Sequence, residues 1–363
     1  MMTIQRLGAA LLLTMMVSAQ TAPAPANLVL ANLVLANDRL ELTILSTGGT
    51  LGKLLLRDGE PLSPLAAMGH FLALDGFGAP SEPERAAGMP FHGEASKLAM
   101  KVISTQSSGA VRSLVLQSTL PLAQETLTRN IEMVEGENVV YVTSDLESGV
   151  GVDRPIAWAE HATLGPPFLE KGKTVVDMPA LSCRVRPFKP GAIPGRLAYE
   201  RDFQWPLAPT KANGTADLRL VPEENYLDLA SCQMDPRRTL AFVTALHLDR
   251  HLLFGYVFRR QDYPWLMSWM NYTGDNRAAR GMEFSTQPFD ISHQETVAMS
   301  PLFGTPTFRW LPAKAKLQTR WLMFYTRVPE GFTRIDDVVV EAGKITIVDR
   351  SGRRLVLTAS RGL

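Results

Sequence analysis

The sequence predicts an all-β chain built as two packed antiparallel sheets. Three observations carry this. Short runs rich in Val, Ile, Leu, Thr, Tyr and Phe recur from Leu40 onward with turn residues between them. The 363 residues include 27 Gly and 25 Pro, 52 turn-formers in all, as a fold of many short elements needs. No stretch carries the 3.6-residue apolar period of a long amphipathic helix. Length alone would suggest about two domains, but large sandwiches are an exception to that expectation.

Taken in chain order, Met1 to Arg6 holds one positive charge, Leu7 to Val17 is apolar, and Val17-Ser18-Ala19 offers small residues before Gln20. This is the pattern of a secretory signal peptide over residues 1–19, since the apolar stretch is about a dozen residues and a membrane span needs roughly 20. The expected localisation is periplasmic or secreted. Residues 20–38 form an Ala/Pro-rich linker running into an N-terminal strand, with the unit NLVLA written twice from Asn27. Residues 39–330 form the main domain, and residues 331–363 add further strands to it.

Strands are predicted at Leu40 to Leu45, Leu51 to Leu56, Val111 to Gln117, Glu125 to Met133, Val139 to Leu146, Leu240 to His247, Leu252 to Arg259 and Thr319 to Thr326. Runs such as Leu40-Glu41-Leu42-Thr43-Ile44 alternate apolar with polar and suit a half-buried sheet, whereas Leu252 to Phe258 is nearly continuous and suits burial between sheets. Ser46-Thr47-Gly48-Gly49, Glu135-Gly136-Glu137-Asn138 and Glu341-Ala342-Gly343-Lys344 supply reversals. Arg184 to Pro209, dense in Pro, basic and aromatic residues, is expected to be a long ordered loop.

Charge is balanced, 37 Lys+Arg against 36 Asp+Glu, and loss of Arg6 with the leader leaves 36 against 36. A dedicated nucleic-acid binder is therefore not expected, and no later segment spans a membrane. Cys183 and Cys232 are the two cysteines. Export would permit a disulfide between them, and two separate buried thiols is the other reading. Oligomeric state is not set by the sequence.

Three segments place histidines or carboxylates among Gly, Pro and aromatic residues: Gly88 to Ala95 with His92 and Glu94, Trp158 to Phe168 with Glu160 and His161, and Gly281 to Asp290 with Glu283 and Gln287. In this order and at these intervals they resemble the galactose mutarotase-like family, which includes the aldose 1-epimerases. The start, Gly48-Gly49 then Leu51 to Leu56 and Arg57-Asp58-Gly59, is similar too, and the resemblance covers about Leu40 to Arg327.

The resemblance implies a large antiparallel β-supersandwich that binds a monosaccharide or oligosaccharide and opens an aldose ring by acid–base chemistry. No metal and no cofactor are implied. Glu283 would match the general base and His161 the general acid, with His92, Glu94, Glu160 and Gln287 around the sugar. Trp158, Trp205, Trp265, Trp269 and Phe284 are aromatics near the motifs, of which Trp269 is taken for the substrate site. Arg201, Arg277 and Arg280 could clamp an acidic group, which puts Arg201 and Arg280 among the binding candidates. The sequence departs from the closest epimerase pattern where Pro288 precedes Phe289, and Asp262 or Asp275 would stand for a further hydroxyl-holding carboxylate. A non-catalytic sugar-binding protein of the same fold is an alternative reading. A metal-dependent sugar enzyme using His92, Glu94, His161 and Glu283 is another.

Overall fold

The computed structural model describes residues 32–187, 195–274 and 278–363. The expected signal peptide, the linker up to residue 31, Asp275 and Arg277 lie outside them. Two large antiparallel sheets dominate, as the strand pattern predicts.

The first sheet has eleven strands. From one edge they run Leu33–Ala36, Leu40–Ile44, Leu51–Leu56, Leu65–Leu74 and Trp158–Leu164. Ala279–Gly281 and Glu283–Ser285 then share one position, pairing Trp158–Leu164 on one side and Trp265–Asn271 on the other. Leu227–Met234, Ala180–Val185 and Asp202–Gln204 complete it. The second sheet has eight strands in the order Thr174–Asp177, Leu240–His247, Leu252–Arg259, Lys316–Arg327, Val139–Ser148, Glu125–Val134, Val111–Leu120 and Lys101–Gln106.

The facing sides of the sheets enclose the main core, where Leu42, Leu72, Trp158, Phe284 and Met270 meet Leu116, Ile131, Tyr256 and Trp321. Three last strands, Ile335–Glu341, Lys344–Asp349 and Arg354–Thr358, form a meander that buries Ile335, Val338, Ile345 and Ile347 against Tyr141, Phe242, Leu253 and Phe324 on the other side of the eight-stranded sheet. Arg184 to Pro209 is not a continuous loop. It contains the end of Ala180–Val185 and the short strands Asp202–Gln204 and Leu207–Pro209, while residues 188–194 lie outside the described ones.

Cys183 and Cys232 stand directly opposite each other on neighbouring strands and form a disulfide, with Cα atoms 4.0 Å apart. Both are fully buried, so the crosslink closes a 49-residue separation inside the core.

The other side of the eleven-stranded sheet carries the site. Strand alternation decides which residues appear there. Along Trp158–Leu164, Trp158, Glu160 and Ala162 face the core, and Ala159 and His161 face outward. Along Trp265–Asn271, Trp265, Met267 and Trp269 share the outward side. Two excursions, one over residues 75–100 and one over residues 286–307, wall this face. Each contains one short helix with a Ser/Glu capping box, Glu82–Ala86 after Ser81 and His293–Ala298 after Ser292. His293 Nδ1 lies 2.8 Å from Glu84 Oε1 and ties the two excursions together.

A candidate active site on the eleven-stranded sheet

Four polar side chains, His92, His161, Glu283 and Asp290, line a cavity of roughly 350 Å³. Its remaining lining is apolar: Met68, Phe71, Phe91, Leu229, Met267 and Trp269. The pairing of Trp158–Leu164 with Leu65–Leu74 puts His161 opposite Phe71, and the two rings stack with centroids 4.1 Å apart. Two residues along, Thr163 reaches the same side, and its hydroxyl lies 3.1 Å from His161 Nδ1. The other ring nitrogen, Nε2, lies 3.6 Å from Glu283 Oε1.

Glu283 is fully buried, and neither carboxyl oxygen has a hydrogen-bond partner among the described residues. Burial pushes its pKa well above the ordinary carboxylate value, with the Asp290 charge adding to the rise and Arg186 opposing it. Burial also holds His161 well below the ordinary histidine value, and His92 pushes in the same direction. Both shifts favour the uncharged forms, a carboxyl on Glu283 and a neutral imidazole on His161. Gly281 stands on the same side of the strand as Glu283, and a Cβ at position 281 would collide with Glu283 Oε1.

His92 sits at φ +65°, a left-handed conformation uncommon outside glycine. Two bonds to one residue hold it there: its backbone N–H donates to the Gly78 carbonyl at 3.0 Å, and the Gly78 N–H donates to His92 Nδ1 at 3.0 Å. Nδ1 is thus an acceptor, which leaves the ring proton on Nε2. Burial, helped by Lys97, lowers its pKa to about 4. The loop can pass this close because Gly93, at φ +71°, leaves room for the Leu74 carbonyl, where any Cβ would clash. Asp290, 2.9 Å from Arg186 Nε, closes the wall opposite.

His161, Glu283, His92 and Trp269 of the sequence candidates therefore meet in one cavity. The others do not. Glu160 faces the core, because neighbours on a strand point to opposite sides. There it accepts from Arg129 at 3.0 Å, contacts His70 Nε2 at 2.9 Å, and takes longer bonds from Tyr263 and Trp158. Burial alone would raise its pKa, and the Arg129 charge and the His70 bond outweigh that, holding it at about 2.

Glu94 accepts from the backbone N–H groups of Leu122 and Ala123, which turns it away from the cavity and separates it from the other three residues of the metal-enzyme reading. Among the described residues no three His, Cys, Asp or Glu side chains converge as metal ligands. Arg280 is buried on the core side, bonded to Tyr272, Ser268 and the Leu218 carbonyl. Gln287 is buried in the loop beyond the strand, where it donates to the Phe289 carbonyl at 2.7 Å. Arg201 is exposed at a turn outside the cavity lining. Among the aromatics, Trp158 and Phe284 lie in the main core, Trp205 packs against its margin, and Trp265 packs below the cavity. Asp262 is bound by Arg259 and Arg309 elsewhere. Asp290 and, apart from Trp269, the apolar lining were not singled out in the sequence. Asp290 closes the third motif and so had a signal, whereas Met68 and Phe71 carry none beyond alternation.

No protein-family model matches the chain, and a search of the curated proteins returns no match. Solved structures do match. A galactose mutarotase related enzyme from Lactobacillus acidophilus aligns with a TM-score of 0.54 at 11% identity, over 82% of this chain and 97% of that one. A galactose mutarotase-like protein from Lactobacillus casei aligns at 0.56 and 13% identity, over 82% and 100%. One from Clostridium acetobutylicum aligns at 0.55 and 13%, over 81% and 95%. The chain has the galactose mutarotase-like fold. At these identities the galactose mutarotase-like neighbours speak for architecture, and the chemistry rests on the cavity's own groups.

Proposed function

We propose that the protein is an aldose 1-epimerase-like isomerase, which binds an aldose in this cavity and interconverts its α and β anomers by opening and reclosing the ring. The observation that supports this most is the buried His161–Glu283 pair, 3.6 Å apart, with the aromatic wall of Trp269 beside it. Ring opening moves one proton off the C1 hydroxyl and one onto the ring oxygen as the C1–O5 bond breaks. Written with Glu283 as base and His161 as acid, the carboxyl proton of Glu283 first moves to the His161 imidazole. A sugar hydroxyl donating to the carboxylate favours that state. His161 then protonates the ring oxygen while Glu283 takes the C1 hydroxyl proton, leaving the open-chain aldehyde. Rotation about C1–C2 and the reverse transfers close the ring on the other face, so the pair ends with the proton count it began with. His92, with its proton on Nε2, supplies a donor to a sugar oxygen.

An acid or base of this kind contributes typically ~10²–10⁴ in rate. Glu283→Gln and His161→Ala are expected to slow polarimetric anomer interconversion by about those factors, and full activity in both variants would refute the residue assignment. A second reading is binding without turnover, which the mostly apolar lining favours, six of ten lining residues being apolar. A wild type that is thermally stabilised by a sugar and accelerates no mutarotation would establish it. Export is proposed on the leader-like residues 1–19, and the buried disulfide fits an oxidising compartment. No helix among the described residues is long and apolar enough to cross a membrane.

A further inference from the structure

A second, larger depression of roughly 690 Å³ lies between the Arg260–Asp262 turn and the segment from Ser300 to Trp310. It is distinct in lining from the catalytic cavity, although one segment serves both: Leu302 packs in the cluster below the cavity, and Gly304 and Thr305 line the depression. Trp310 is 56% exposed there, the most exposed aromatic among the described residues, ahead of Phe91 in the cavity lining at 54%. It projects from a two-stranded ribbon, Arg309–Leu311 against Arg154–Ile156, with its ring edge-on to Phe308 at 5.4 Å.

Beside it the charges are unequal. Asp262, 2% exposed, is held by both Arg259 at 2.7 Å and Arg309 at 3.0 Å, so one carboxylate faces two guanidinium groups. Arg260 also lines the depression and has no ion-pair or side-chain hydrogen-bond partner among the described residues. Three arginines against one aspartate leave an excess of two positive charges. The exposed Gln261 amide and the Ser300 hydroxyl add neutral hydrogen-bonding groups.

We infer that this depression is a second saccharide site, specific for a carboxylate-bearing sugar such as a uronic acid unit. Trp310 is the platform for the apolar face of the ring, as an amphipathic aromatic in a wet groove suits, and Arg260 pairs with the carboxylate. Arg309 is fixed by Asp262 and shapes the rim. The saccharide class rests on the proposed function of the neighbouring cavity, and the anion preference rests on the groove alone. The two arginines that the sequence offers for an acidic sugar do not line the first cavity: Arg201 lies outside it and Arg280 is buried in the core.

The test is titration of the full chain with galacturonate, its trimer, galactose and benzoate, followed by tryptophan fluorescence and calorimetry. The account expects saturable binding of the uronates, roughly tenfold weaker binding of galactose, and loss of at least about tenfold in affinity in Trp310→Ala and in Arg260→Ala. Glu283→Gln is expected to bind the uronates as wild type does, and Trp310→Ala to keep wild-type mutarotase activity, so the two sites fail or stand separately. No saturable uronate binding would overturn the inference. So would binding lost in Glu283→Gln and kept in Trp310→Ala, or benzoate binding as tightly as galacturonate.

Discussion

Replacing Glu283 by glutamine isolates the energetics of the site from its chemistry. The unfolded carboxyl ionises near 4.5, whereas in the folded protein burial raises its pKa well above that. Between these two values the unfolded state releases a proton that the folded state keeps. The Glu283 contribution to wild-type stability therefore falls by about 1.4 kcal/mol for each pH unit from 4.5 up to the folded pKa, and is level above it. Glutamine has nearly the same shape and no proton to lose, so the variant lacks this slope. The predicted result is a stability difference, variant minus wild type, that is constant below pH 4.5 and grows in the variant's favour at about 1.4 kcal/mol per pH unit above it. Urea unfolding of both proteins at pH 4, 5, 6, 7 and 8 measures it. Other titrating groups are common to both proteins and cancel in the difference. Parallel curves across this range would show that Glu283 ionises in the folded state as it does in water, and the uncharged-pair account would fall.

Three further outcomes follow from the geometry. Gly281→Ala is expected to displace the Glu283 carboxyl while the strand persists, lowering anomer interconversion by about 10²-fold with little change in thermal midpoint; unchanged activity would show that the carboxyl position is not critical. Arg129→Met removes one partner of buried Glu160 and is expected to destabilise by ~3–5 kcal/mol in urea, with Arg129→Met/Glu160→Gln recovering part of it; a loss below about 1 kcal/mol in the single variant would contradict the buried pair. Opening the Cys183–Cys232 bridge by Cys→Ser at both positions releases a 49-residue separation, for which loop entropy predicts a loss of about 4 kcal/mol, and no shift in the urea midpoint would show that the bridge contributes nothing.

The strands were legible because alternation and turn chemistry are local. Glu341-Ala342-Gly343-Lys344 illustrates it: Ala342 and Gly343 both take positive φ between two strands. The same alternation contained more about the site than a reading of motifs extracts. Glu160 and His161 are consecutive on one strand and cannot share a face, and Arg280 shares its parity with Met282 and Phe284, which are core residues. Gly281 and Glu283 have the opposite parity and share the cavity side. What could not be read is what depends on pairing at long range. The register that sets Phe71 opposite His161 joins strands far apart in sequence, and Asp290 reaches the cavity through a loop. The Cys183–Cys232 bridge likewise needs the strand register to bring the thiols face to face.

The most direct test is two-dimensional exchange NMR on α and β anomer signals of galactose and a panel of neutral and acidic aldoses, with and without the protein, as a function of pH. The predicted result is protein-dependent exchange for at least one sugar. It should be level through neutral pH, fall on the acid side where His161 gains a second proton well below its ordinary pKa, and fall on the alkaline side where Glu283 loses its proton well above its own. Exchange no faster than buffer alone for every sugar, at every pH, would contradict the account.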